Sequence, residues 1–140
     1  MDSQQIVKTA RTLIDIPYRH QGRTLRGLDC SGVVVMTAFL SGLSKEKLGL
    51  TNYPRNADGS LGRGLDEYCT ELDTLQPGAI ALFQLSPIPH HCGIVTRYGE
   101  GLGILHAYEN VGRVREHALI DWWKNKIVKI YGFPNVNYGS

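Results

Sequence analysis

A change of hydrophobic period at Pro77-Gly78 constrains this chain more than any other feature. Before that dipeptide, apolar residues recur at helical spacing. From Asp2 to Ile16 they are Ile6, Ala10, Leu13 and Ile14, behind an Asp2 or Ser3 cap and ahead of the helix-ending Pro17. The connector PYRHQGRTLRGL is rich in turn residues, and DCSGVVVMTAFLSGL follows it. Val33, Val34 and Val35 favour a strand there. The segment's length, Asp29 as N-cap and Gly42 at the C-terminal end favour a buried helix, which is the reading adopted. Ser44 to Gly59, containing TNYPRNADG, reads as a loop. A helix from Ser60 to Leu72 is predicted to bury Leu61, Leu65, Tyr68, Cys69 and Leu72. After Pro77-Gly78 the runs AIALFQL, CGIVTRY, GILHAYE, RVREHAL and KIVKIYGF are short, branched and aromatic, with LIDWWKN as a short helix between the last two. Helices first and a meander of strands afterwards predict an α+β fold, with an antiparallel sheet packed on N-terminal helices.

The 140 residues fit one domain, 1–140, with a modest core. A formal charge of +2 is too small for a nucleic-acid footprint. No run approaches the roughly 18 apolar residues of a membrane span, so no membrane insertion is expected. MDSQQIVKTARTLIDIP has no apolar signal core, so synthesis in the cytoplasm without an N-terminal export signal is expected. Three cysteines without CxxC spacing argue against a disulfide framework and a structural zinc site.

Those cysteines direct attention to chemistry. Cys30 stands at the predicted start of a helix, where unpaired N–H groups and the macrodipole favour a thiolate. The same N–H groups can hold an oxyanion, and Gly27 and Gly32 allow close backbone approach. A small buried hydrophobe is the competing reading of such a cysteine. A nucleophile of this kind needs a base with a pKa near neutrality. Of the five histidines, His91 opens HCGIVTRY and His106 lies in GILHAYE. On adjacent antiparallel strands the two would sit side by side, one facing Cys30 and the other orienting it. His20, His90 and His117 read as structural. Zinc held by Cys30, His91, Cys92 and His106 is disfavoured, because neighbours His91 and Cys92 point to opposite faces of a regular strand. Cys92 therefore reads as core.

PYRHQGRTLRGLDCSG, HCGIVT and ILHA, in that order, resemble the NlpC family of papain-like cell-wall peptidases. YENVGRVREHALIDWWKNKIVKIYGFP resembles a phage-associated branch of that family. The resemblance implies a papain-like α+β fold with the nucleophile at a helix N-terminus. It assigns Cys30 as nucleophile, His91 as base and His106 as the orienting residue. It puts Tyr18 beside the nucleophile, in reach of substrate or oxyanion, and has Asp29 and Ser31 line the pocket for the stem peptide's amino end. Asp29 as a simple cap and Tyr18 as simple packing remain open. His20 and Gln21 replace the family's aromatic-plus-glycine turn, and Cys92 replaces an aliphatic residue.

The activity implied is hydrolysis of peptidoglycan stem peptides at the bond from D-glutamate to the diamino acid, with no metal or organic cofactor. Delivery on a phage tail, with tail proteins as partners, would supply the missing export route. Two other readings stay open. One is a tail assembly protein with a vestigial or secondary site. The other is an amidase or thiol acyltransferase using the same thioester chemistry.

Overall fold

The computed structural model of the chain describes residues 1–43, 60–85, 87–88 and 90–138. The loop expected from Ser44 to Gly59 lies outside the described residues. Helix α1 (Ser3–Arg11) begins at a capping box. The Asp2 carboxylate accepts from the Gln5 N–H at 3.0 Å, and the Gln5 side chain accepts from the Asp2 N–H at 3.1 Å. It buries Ile6, Val7 and Ala10. The helix is shorter than the predicted 2–16. Thr12 caps it, Asp15 turns into the left-handed region at φ 77°, and the Asp15 N–H donates to the Val114 carbonyl at 3.0 Å. Pairing with a distant strand thus replaces the last helical turn before Pro17.

The connector holds a miniature hairpin that the turn-rich reading did not anticipate, formed by β1 (Arg23–Thr24) and β2 (Gly27–Leu28). It leads directly into α2 (Cys30–Leu40), which settles the local ambiguity in favour of helix. Residues 31–38 of this helix are all buried. Burial on every side suits valine in a helix as well as in a strand, so tertiary packing overrides propensity here. The helix ends in a Schellman motif. Gly42, at φ 75°, donates to the Phe39 carbonyl at 3.1 Å, and Leu43 donates to that of Ala38 at 3.0 Å.

The segment predicted as one helix from Ser60 to Leu72 is two elements, α3 (Ser60–Tyr68) and β3 (Thr70–Leu72). Leu61 and Leu65 are buried as expected, but Tyr68 is exposed and Cys69 and Leu72 only half-buried. The helix stops because residues 70–72 are taken up by a sheet edge, with Leu72 opposite Ile130. The remaining elements are β4 (Ile80–Phe83), β5 (His91–Tyr98), β6 (Gly101–Tyr108), β7 (Arg113–Ala118), α4 (Asp121–Lys124) and β8 (Ile127–Gly132).

The main sheet is antiparallel with strand order β3-β8-β4-β5-β6-β7. It is a meander from β4 to β7, and β8 then crosses back to lie between β3 and β4. Strict alternation divides its two faces. Ile80, Leu82, Cys92, Ile94, Leu105 and Val114 pack under α1 and α2 in the main core. Ala79, Ala81, Phe83, Val95 and Ile104 form a second cluster on the opposite face, with Trp123 of α4 against it. No helix among the described residues is long and apolar enough to cross a membrane.

Candidate active site

The first turn of α2 is held in place by one buried carboxylate. Asp29 is 1% exposed and accepts from the Gly32 N–H at 2.8 Å, the Gln21 N–H at 2.9 Å, the Arg23 guanidinium at 2.9 Å and the Ser31 hydroxyl at 3.2 Å. It thus caps the helix and ties the preceding loop to it. Burial, and next the Cys30 thiolate beside it, push its pKa above the ordinary carboxyl value despite Arg23. Gly32 is required where loop and helix meet, since a Cβ there would lie 2.1 Å from the Gly22 carbonyl oxygen. Gln21, at the position of the altered turn, adopts the left-handed region at φ 58°. A non-glycine residue there carries a cost of about 1 kcal/mol, offset in part by its N–H bond to Asp29. Tyr18 bridges to Leu28, two residues before Cys30, and packs with Cys30 against the main core.

Cys30, partly buried at the first position of α2, hydrogen-bonds with both Cys92 and His91. Those two contacts hold its pKa well below the ordinary thiol value, Cys92 most strongly and then His91, against the opposing effect of burial. The Cys92 thiol, fully buried, is pushed well above its usual value by the same neighbouring sulfur. Cys92 therefore stays a protonated donor and Cys30 becomes the thiolate. Cys92 belongs to the core as expected, but it is also a neighbour of the candidate nucleophile. The alternation argument places His91 and Cys92 on opposite faces, and this holds along β5. Cys30, however, sits at the strand's first residue and touches both. Among the described residues no group of three or more histidines, cysteines and carboxylates is arranged to hold a metal ion.

His91 and His106 are both buried, and His91 Nε2 lies 2.7 Å from His106 Nδ1. Register explains the contact. Ile94 faces Leu105 across β5 and β6, so Gly93 falls opposite His106, and His91 and His106 are diagonal neighbours on one face. Gly93 makes room between them, since a Cβ there would lie 2.9 Å from that of His106. Burial first, and the positive charge His91 and His117 can carry next, push the His106 pKa down to about 2. It is a neutral imidazole at any working pH.

The row continues to a residue that the sequence reading set aside as structural. His106 Nε2 lies 2.8 Å from His117 Nε2 on β7. Trp123 of α4 covers all three rings, with centroids 5.8, 4.9 and 5.9 Å from those of His91, His106 and His117. Tyr108 stacks on His106 at 5.8 Å and 18°. Sequence gave no signal for these partners beyond residue type, because strand register decides which side chains meet. Arg23 gave no signal either; its spacing from Asp29 across a two-residue-strand hairpin carries no pattern. Together the groups provide a thiolate, an adjacent imidazole that can accept and return a proton, and a neutral acceptor behind it, in the order that acyl transfer through a thioester requires.

No family model and no curated protein matches the chain in sequence. Solved structures do. The NlpC/p60 domain of the peptidoglycan hydrolase SagA matches with a TM-score of 0.65 at 17% identity, over 95% of this chain and 100% of that one. An NlpC/p60 family protein from Bacillus cereus gives 0.67 at 19% identity over 95% of this chain, which spans only 40% of that longer protein. An N-acetylmuramoyl-L-alanine amidase from Bacteroides uniformis gives 0.61 at 11% identity, over 92% of this chain and 96% of that one. At these identities the likeness is one of fold: the chain has the α+β, papain-like fold of NlpC/p60 domains.

Proposed function

We propose that this chain is a cysteine peptidase acting on peptidoglycan stem peptides, with Cys30 as nucleophile, His91 as general base and acid, and His106 as the orienting residue. One observation carries the reading: a cysteine at a helix N-terminus touches His91, whose Nε2 is 2.7 Å from the neutral His106. The Cys30 thiolate adds to the peptide carbonyl, and the resulting oxyanion is held by N–H groups of the first turn of α2, with Tyr18 beside it. The tetrahedral adduct expels the amine, which takes the proton that His91 received from Cys30. His91 then removes a proton from water, whose oxygen attacks the thioester and releases the acid and the Cys30 thiolate.

Asp29 has internal donors on both oxygens, so its part is to set the helix start and the adjoining pocket wall. Ser31 lies within the same network. The bond favoured by the motif resemblance is the one from D-glutamate to the diamino acid, and phage-tail delivery rests on the likeness of residues 108–134 to the phage-associated branch. A second reading, the amidase, is favoured by the Bacteroides amidase, which shares the fold over nearly its full length.

Wild type and Cys30→Ala incubated with stem peptides and with intact muropeptides, read by mass spectrometry, test both. We expect cleavage after D-glutamate in wild type and none in the variant. Release of the sugar from L-alanine instead would favour the amidase. Retained cleavage in Cys30→Ala would overturn the nucleophile assignment. No cleavage by folded wild type would favour the tail-assembly reading.

A further inference from the structure

The direction of the histidine row is set from its far end. His117 Nδ1 lies 2.9 Å from the Ala118 carbonyl oxygen. A carbonyl only accepts, so this nitrogen carries a proton, and the Nε2 of neutral His117 is then an acceptor. The 2.8 Å contact between the two Nε2 atoms therefore holds a proton belonging to His106. Neutral His106 is left with its lone pair on Nδ1, which accepts from His91 Nε2 at 2.7 Å. Before it takes the Cys30 proton, His91 therefore has its lone pair on Nδ1, the ring nitrogen left for Cys30. The reverse polarity would put a proton on that nitrogen, and His91 could not take one from the thiol.

Resting on the Cys30–His91 reading above, we propose that His117 is a positioning residue: anchored by the Ala118 carbonyl, it fixes the tautomer of His106, and through it the tautomer of His91 that acts as base. Packing supports the assignment independently. Ile104 faces His117 across β6 and β7, so His106 and His117 are diagonal neighbours on one face. Trp123 covers all three rings and limits their rotation. A half-buried histidine with only a packing role would not need one ring nitrogen on a carbonyl and the other on His106.

The test needs no wall substrate. Long-range 1H–15N correlation spectra of histidine-labelled wild type should show His117 protonated at Nδ1, His106 at Nε2, and His91 at Nε2 as well as at the Nδ1 that holds the proton taken from Cys30. In parallel, the rate of Cys30 carbamidomethylation by iodoacetamide near neutral pH, in which the thiolate displaces iodide, followed by mass spectrometry of the Cys30 peptide, reads the Cys–His pair directly. His117→Gln presents an amide oxygen as acceptor and should keep the His106 tautomer and most of the rate. His117→Leu removes the acceptor and should slow the reaction by about tenfold or more, following the cost of a wrong tautomer. Wild-type His106 protonated at Nδ1, or a folded Leu variant that reacts as fast as wild type, would overturn the proposal. Should the spectra and rates come out as expected while stem peptides stay uncut, the histidine row stands and the substrate assignment falls.

Discussion

At the scale of single residues, Cys30 draws two neighbours from one strand, and they act on it differently. His91 can take its proton away, whereas Cys92 donates a hydrogen bond to the sulfur left behind. Cys92 has the larger effect in lowering the Cys30 pKa. Cys92→Val keeps the site apolar and removes that donor. Its Cys30 carbamidomethylation profile should move to higher pH than that of wild type, with a rate at neutral pH that falls several-fold. A superimposable profile would show that His91 alone holds the thiolate. The sequence made Cys30, His91 and His106 legible because each lies in a motif with a chemical reason for its residue type. It could not make Cys92 or His117 legible in the same way. Cys92 contacts the site only because α2 begins over the first residues of β5, and His117 only because β6 and β7 pair as they do.

At the scale of elements, α2 depends on what precedes it. Asp29 caps the helix, pairs with buried Arg23 and anchors the backbone of Gln21. Asp29→Ala removes the cap and leaves the guanidinium, 9% exposed, without its carboxylate. The expected cost is about 3 kcal/mol, from the lost cap and the lost ion pair of a buried charge. Urea unfolding measures it, and a loss below about 1 kcal/mol would mean that water or another group takes over those donors. Asp29 was recognisable as a cap from its place before a long apolar run. The helix predicted through Leu72 failed for the opposite reason. Leu65, Tyr68, Cys69 and Leu72 carry helical spacing, but an open position beside β8 offers residues 70–72 sheet hydrogen bonds, and local periodicity cannot report that.

At the scale of the whole molecule, the neutral His106 ties stability to pH. Its pKa is about 2 in the folded chain against an ordinary 6.5. Between those values the unfolded chain binds a proton that the folded chain refuses, so folding stability should fall as the pH drops below about 6.5. The slope is up to about 1.4 kcal/mol per pH unit. Urea midpoints at pH 7 and pH 5 test it: the lower should be at pH 5, and His106→Gln should reduce the difference. Equal wild-type midpoints would mean that His106 accepts a proton without cost. The α+β class was legible from the switch of period at Pro77-Gly78, whereas the strand order was not. A run of strands suggests a simple meander, and nothing in KIVKIYGF announces that it returns between β3 and β4.

That return has a consequence in time. Strands β4 to β7 are neighbours along the chain and can pair as they are made. Among the described residues the edge strand β3 pairs only with β8, whose residues emerge from a ribosome some sixty positions later. Until β8 has emerged and docked, the meander that carries the histidine row has one side of its sheet open. Docking of the strand that joins the two parts is therefore expected to come late in folding, away from the histidines themselves.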